Sequence, residues 1–402
     1  MKPKILHCVD DPNMGGVNFA LQSLCGSTLQ DDFAFDIQYI DFSTPVNINS
    51  DADIICLHGA SNWRNLLNII QFKWRHPNTT FVLQEHHYSA AFVSEQIRSP
   101  KRFYLMLKLN YWLMDKVIAI APSQQQWMLE HKLISQQKIA LLGQGRDLTR
   151  FTVSVIASQI ASNNPNKRPS KTPSKSQDKL NANEAPVLAA YGRFHPQKGF
   201  DLLIKAMQQV KSPCRLLLAG EGEQLNELNA LAAKVTNVEI VGKIDDVPSF
   251  LQACDAVIIP SRWEPFGLIF IESLAMNKPI ISSQVDGLGD QINQHAALHS
   301  MDYGHQSAIT AIAEPISADS IADAINHFLS QTAATSLVDA QFTEECQLID
   351  ESQVVAESQV TAAGSVEPNT DYIGQWKTQQ WLVLQQAWKN LFKQLLEDKK
   401  ES

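Results

Sequence analysis

Short apolar runs alternate with stretches in which apolar residues recur every three or four positions, and this continues through nearly the whole chain. The runs KILHCV, DIICLHG, TTFVLQEH, KVIAIAP and KIALLG come first, then PVLAAYG, CRLLLAG, VEIVG, AVIIP and PIISS. Unbroken apolarity predicts strands buried on both faces, and the helices between them predict parallel sheets of an α/β fold. The series breaks once. Residues 154–186 turn rich in Ser, Asn, Lys and Pro and lose periodicity, which predicts a flexible linker or insertion between two α/β halves, 1–153 and 187–333. A second biased segment, 334–371, is acidic and polar and is expected to be irregular or disordered. After it, 372–402 reads as an amphipathic helix with three tryptophans.

The two halves echo each other. Each opens with strand, loop and helix, KILHCVDDPNMGGVNFALQSL and VLAAYGRFHPQKGFDLLIKAM, and in each a loop with glycine leads into a helix start. A helix N-terminus exposes unpaired N–H groups and the positive end of its dipole, which suits an anion. Two such mouths across one cleft could grip a phosphorylated ligand from both sides. In the second loop Arg193 and Lys198 follow a buried strand, at the strand end where open α/β sheets bind ligands. Arg by its fork and Lys as a point charge could hold a diphosphate; two solvated surface charges are an equal reading of that loop taken alone.

The stretch SRWEPFGLIFIESLAMNKPIISS places Glu264 and Glu272 around an apolar helix pattern running from Phe266 to Met276. From one to the other along a helix is about 12 Å of rise and about 80° of rotation. That is too far for a carboxylate dyad but suits two ends of one extended ligand. Carboxylates accept paired hydrogen bonds from the vicinal hydroxyls of a ribose or a hexose, and the Pro265-Phe266-Gly267 turn lets backbone approach such a ligand. The plain alternative is a helix-start acid and a solvated face. Glu272, set among Ile269, Phe270, Ile271 and Leu274, is a poor surface position.

Composition narrows the classes. A chain of 402 residues is comfortable as two domains. The formal charge of −9 argues against a general nucleic-acid binder. No stretch is long and apolar enough to span a bilayer, and MKPKILHCVDD does not read as a secretory signal, so a cytoplasmic protein is expected. The six cysteines form no CxxC pair and have no His at zinc-ligand spacing, which predicts buried thiols and no metal site.

PSRWEPFGLIFIESLAMNKPIISS resembles the signature of glycosyltransferase family 4, the retaining nucleotide-sugar transferases of GT-B fold. VLAAYGRFHPQKGFDLLIKAM is similar to that family's strand, Gly-Arg and Lys-Gly helix, and LLLAGEGEQLNEL to its Gly-x-Gly after a strand, at Gly220 and Gly222. VGKIDDVPSFLQACDAVIIPS is similar to the segment before the glutamates, and SQVDGLGDQI to the closing glycine loop. In the first half MGGVNFAL resembles the N-terminal Gly-Gly loop, VLQEHHY the strand ending in His, and GQGRDLTRF the exit segment. The likeness covers nearly all of the chain except the two biased segments. It implies two Rossmann-like domains facing each other across a cleft, the first on the acceptor side and the second binding the donor, with the last helix packing back on the first.

By the same resemblance, Glu272 would bind the ribose hydroxyls of the donor nucleotide and Glu264 the transferred sugar, beside the Phe266 and Gly267 amides. Arg193 and Lys198 would neutralise the diphosphate. Gly15 and Gly16 would bring the first helix mouth to the same phosphates, Gly220 would line the donor site, and the backbone at Lys243 and Ile244 would meet the base. His86, or His87 if the strand shifts by one, would lie by the reacting sugar. Gln144 stands where Asn is usual, Arg146 where an apolar residue is usual and Asp286 where Gly is common; the first two fall in a loop read as a structural exit. The implied reaction moves a hexose, with retention, from a nucleoside-diphosphate sugar (UDP favoured over GDP) to a hydroxyl of a growing glycan or glycolipid. Bacterial lipopolysaccharide, capsule and exopolysaccharide synthesis are the expected settings. No cofactor and no metal are expected, because fixed cations and helix N–H groups would take up the leaving group's charge.

DAD at 51–53 matches the Asp-x-Asp metal motif of the other glycosyltransferase fold, but chance supplies so short a pattern readily. No GxGxxG follows a strand, which weighs against a dinucleotide oxidoreductase; the alternative is a non-catalytic, epimerase-like or phosphorylase-like nucleotide-sugar protein of the same double fold. Residues 98–117, RSPKRFYLMLKLNYWLMDKV, interleave basic with apolar side chains. They predict either a helix packed on the first sheet or one making peripheral contact with an anionic membrane surface.

Overall fold

A computed structural model describes residues 2–12, 15–151, 185–299, 308–347 and 372–401. The expected linker lies outside these residues up to position 184, and the acidic segment beyond 347.

The first domain runs β1 (Lys4–Val9), α1 (Gly15–Cys25), β2 (Ala34–Tyr39), β3 (Ile54–His58), α2 (Trp63–Arg75), β4 (Thr80–Glu85), α3 (Ala90–Gln96), α4 (Pro100–Leu113), β5 (Lys116–Ala119), α5 (Pro122–Glu130) and β6 (Ile139–Leu141). Its six strands are parallel, in the order β2-β1-β3-β4-β5-β6. Successive residues feed opposite faces. Leu6, Cys8, Ile55, Leu57, Phe81 and Leu83 enter one core, and Ile5, Ile54, Cys56 and Val82 enter another. Period-two burial into two apolar layers is what an all-parallel sheet requires.

The second domain runs β7 (Val187–Tyr191), α6 (Phe200–Ala206), β8 (Arg215–Ala219), α7 (Leu225–Ala232), β9 (Val238–Gly242), α8 (Val247–Gln252), β10 (Ala256–Ile259), α9 (Leu268–Ala275), β11 (Ile280–Ser283), α10 (Asp286–His299), β12 (Ile309–Ile312) and α11 (Ala318–Gln347). Its sheet order is β12-β11-β10-β7-β8-β9, again parallel. The final helix, α12 (Tyr372–Glu401), returns to the first domain, where Trp388, Leu391, Phe392 and Leu395 cover the face bearing Ile5, Ile54 and Val82.

Four elements differ from the sequence pattern. β2 escaped it because an edge strand is half exposed and carries polar residues such as Asp36; β12 is likewise an edge strand, only half buried, with Ala311 exposed. The expected irregular segment from 334 begins as helix, since α11 continues to Gln347. Helix α9 starts at Leu268 rather than Phe266, so Glu264 lies in the preceding loop and the helical separation of the two glutamates does not apply. The DAD carboxylates lie before β3, at the sheet's other end: Asp51 pairs with Lys4 Nζ, and Asp53 Oδ2 accepts the Lys4 N–H at 2.9 Å.

Candidate active site

Open α/β sheets bind ligands beyond the carboxyl ends of their strands, where the strand order reverses. In the second sheet that point lies between β7 and β10. The loop after β7 carries Arg193 and Lys198; the loop after β10 carries Glu264. Backbone contact fixes the two loops together. Gly199 has φ +67°, and a Cβ there would lie 2.1 Å from the Pro260 carbonyl oxygen, so only glycine fits. Arg262 spans the junction: its two terminal nitrogens each donate to one oxygen of Asp201 at 2.8 Å, and Nη1 also donates to the Pro196 carbonyl at 2.7 Å. The turn thus held aims Lys198 Nζ at the Glu264 carboxylate, forming an ion pair, while Arg193 stands exposed at the mouth. Glu264 is 7% exposed, and the Ser261 hydroxyl donates to it at 3.3 Å.

The neighbouring loops stack on this one. A Cβ on Gly220 would come within 1.9 Å of the Gly192 carbonyl oxygen, so glycine permits close approach of the loops after β7 and β8. Lys243 and Ile244 follow β9 on the same side; Lys243 pairs with Glu221 at 3.0 Å, in solvent, and Ile244 packs on the core. Phe266 meets Gly143 of the first domain, and Gly16, in the first turn of α1, faces Leu268 in the first turn of α9.

Glu272 lies inside α9 and is 4% exposed. Its Oε1 accepts from Arg146 Nη1 at 2.7 Å, and its Oε2 from the Tyr191 hydroxyl at 2.8 Å. Burial holds its pKa above the ordinary carboxylate value, although Arg146, Tyr191 and Lys198 offset part of that rise. Arg146 comes from the first domain, so this bond crosses the cleft. Asp286 crosses it as well: its carboxylate accepts the Ser89 hydroxyl at 2.7 Å, the Ala91 N–H at 3.1 Å and, within its own domain, the Glu264 N–H at 3.2 Å. Asp290 accepts the Ser123 N–H at the start of α5 at 2.8 Å.

On the first domain's side, the structure divides His86 and His87 differently from the sequence. His86 directly follows β4 and has both ring nitrogens taken. Its Nδ1 lies 2.6 Å from the Gln144 amide, and its Nε2 lies 2.9 Å from His58 Nδ1; His58 Nε2 then meets His7 Nδ1 at 2.8 Å. With Gln144 donating, each ring passes its Nε2–H to the next, and His7 Nε2 ends the row buried and without a partner. Burial holds all three neutral, pushing His7 to about 4, His86 to about 3 and His58 well below its usual value. His86 therefore has no ring nitrogen to offer a sugar. His87 does: its Nε2 is buried without a partner, and after burial the charges acting on it are Asp10, Arg193 of the second domain and Asp11. The loop bearing it is anchored by Glu85, which accepts the His87 N–H at 2.9 Å, the Tyr88 N–H at 3.3 Å and the Tyr111 hydroxyl at 2.8 Å. Burial pushes the Glu85 carboxyl up to about 7.

Arg193, Lys198, Glu264, Glu272, Phe266 and Gly267 are thus gathered along the cleft, with Gly15 and Gly16 at the α1 start opposite α9. Gln144, Arg146, Tyr191 and Asp286 join them. Gln144 and Arg146, in the loop expected to be a structural exit, both bond through their side chains to residues of the cleft.

Residues 172–341 match the family model described as glycosyl transferases group 1. The lipopolysaccharide core biosynthesis glycosyltransferase LpsE of Rhizobium meliloti is 36% identical over 107 residues, 26% of this chain and 31% of that relative. The chain thus spans about three tenths of the length of the curated relatives it matches first. Two solved structures share the double-sheet GT-B fold. Sucrose-phosphate synthase from Thermosynechococcus elongatus superposes with a TM-score of 0.64 at 18% identity, covering 99% of this chain and 100% of that one. HepE of Anabaena, in complex with UDP and glucose, gives 0.56 at 17%, covering 82% and 91%.

Proposed function

From the premise that residues 172–341 carry a glycosyl transferases group 1 domain, we propose that the protein is a retaining, metal-independent hexosyltransferase. It moves a sugar from a nucleoside diphosphate, UDP in preference to GDP, to a hydroxyl of a growing bacterial surface glycan. One observation carries this: Arg193, Lys198 and Glu264 converge at the strand-order reversal of the second sheet, facing α1 and His87 of the first domain. Arg193 and Lys198 hold the diphosphate with the α1 N-terminus at Gly15 and Gly16. Glu272 accepts the ribose hydroxyls, Glu264 the sugar hydroxyls, and the backbone at Lys243 and Ile244 meets the base. As the bond between the sugar carbon and the phosphate oxygen breaks, the ring becomes cationic and the diphosphate gains charge, which Arg193, Lys198 and the helix N–H groups stabilise in place. The acceptor oxygen attacks the face the diphosphate leaves, and its proton passes to the departing phosphate oxygen. His87 orients the sugar.

The test is release of UDP from a panel of UDP-hexoses in the presence of EDTA, with the anomer of the released sugar followed by NMR. Release with the α anomer formed first from an α-linked donor supports the proposal. Strict dependence on added metal, or a β product, refutes it.

Peripheral contact with an anionic membrane would run through α4. Its inner side, Met106, Leu107 and Tyr111, is core, but Leu105 and Trp112 are 53% and 72% exposed beside the exposed cations Lys101, Arg102 and Lys108. An apolar stripe flanked by basic residues suits the inner face of an anionic membrane. Flotation with anionic liposomes, lost on charge reversal of Lys101 and Arg102, is the expected result; no flotation of either protein disposes of it.

A further inference from the structure

Arg146 and Asp286, two positions that depart from the pattern the chain resembles, both carry bonds between the domains. Arg146 has the more specific consequence. A carboxylate has about four acceptor sites, two on each oxygen. In Glu272, Arg146 takes one site on Oε1 and Tyr191 one on Oε2, which leaves one site on each oxygen. That remainder matches the two hydroxyl donors of a vicinal diol. The guanidinium also packs over the rings of Phe19 at 4.9 Å and Phe151 at 5.1 Å.

We infer that Arg146 is a positioning residue for the nucleotide: contributed by the first domain, it holds the Glu272 carboxylate oriented as an acceptor for the ribose diol, so that the ribose site is complete only when the domains are closed. The inference rests on Glu272 as the ribose ligand. Three groups govern that carboxylate's charge besides its burial: Arg146 from the exit loop, Tyr191 from the end of β7 and Lys198 from the turn beyond it. Tyr191 is held protonated by burial and by Glu272 itself, and Lys198 is paired with Glu264. Without Arg146, the acid loses the one cation bonded to it. It then binds a proton more readily, and a protonated carboxyl no longer offers the diol two equivalent acceptors.

The experiment measures dissociation constants for UDP or GDP, whichever binds more tightly, and for its 2′,3′-dideoxy analogue, in wild type, Arg146→Met, Arg146→Lys and Glu272→Ala. Each variant is compared with itself across the two ligands, so a general loss of stability cancels. Arg146→Met weakens the ribonucleotide about tenfold, the value of one charge-assisted hydrogen bond, and leaves the dideoxy analogue nearly unchanged. Arg146→Lys restores part of the difference. An equal loss for both ligands in Arg146→Met overturns the inference and makes Arg146 merely structural. Tighter ribonucleotide binding overturns it too, since Arg146 would then be a gate that competes with the diol. If Glu272→Ala itself fails to distinguish the two ligands, the ribose assignment falls, and the inference with it.

Discussion

The row of buried histidines makes the first domain sensitive to acid, by an amount that follows from its geometry. His7 is fully buried, with one nitrogen bonded to His58 and the other unpartnered, and it does not bind a proton until about pH 4. In the unfolded chain the same ring protonates near its ordinary value of about 6.5. Between these two values the unfolded state binds a proton the folded state cannot take, so stability falls as the pH falls. From pH 7 to pH 5 the loss from His7 alone is about 2 kcal/mol. His86, held down to about 3, adds a similar loss. Replacing His7 with Gln keeps an amide within reach of His58 and removes one titrating ring. Stability is read from hydrogen exchange of the β1, β3 and β4 amides under increasing urea at pH 7 and pH 5, which reports on the first domain separately from the second. The difference between the two pH values shrinks by about 2 kcal/mol in His7→Gln. An unchanged difference refutes the reasoning, because it would mean that His7 carries a proton at pH 5 in the folded domain.

Two further outcomes follow from the same structure. Glu85 has the opposite sign: the folded carboxyl keeps its proton up to about pH 7 while the unfolded one has lost it by about 4.5, so this group costs stability as the pH rises through that window, by about 3 kcal/mol at most. Glu85→Gln removes that fall, measured by the same exchange experiment; a slope equal to wild type would contradict it. Arg262→Ala leaves Asp201 buried without its forked partner and frees the turn bearing Lys198. A loss of about 2 kcal/mol in the second domain, with weaker diphosphate binding, is expected by calorimetry and titration; unaltered binding would show that the turn keeps its shape without Arg262.

Much of this was legible in the sequence because the strands are buried on both faces and so read as unbroken apolar runs. Glu272 was recognisable as a buried acid from the apolar residues around it, and the loops of Arg193, Lys198 and Glu264 from their place after such strands. What escaped lacked a local pattern. Arg146 meets Glu272 126 residues away and across the cleft, so nothing beside it in the chain marks it. His7 and His58 occupy strand positions that look apolar, and their partners lie on neighbouring strands. Glu264 left the helix because Gly267 adopts the left-handed region and sets the helix start after it. Which of His86 and His87 faces the cleft depended on the geometry at the end of β4, which the adjacent pair of letters does not encode.

The central claim, a nucleoside diphosphate held between Arg193, Lys198 and Glu272, is tested most directly by thermal unfolding of the full chain with UDP, GDP, ADP and NAD, each with EDTA. A ligand present at about a hundred times its dissociation constant stabilises its domain by about 2.7 kcal/mol. The account predicts a shift with UDP, a smaller one with GDP, none with NAD, and loss of the UDP shift in Glu272→Ala. A shift with NAD alone, or a UDP shift that Glu272→Ala leaves untouched, would contradict it.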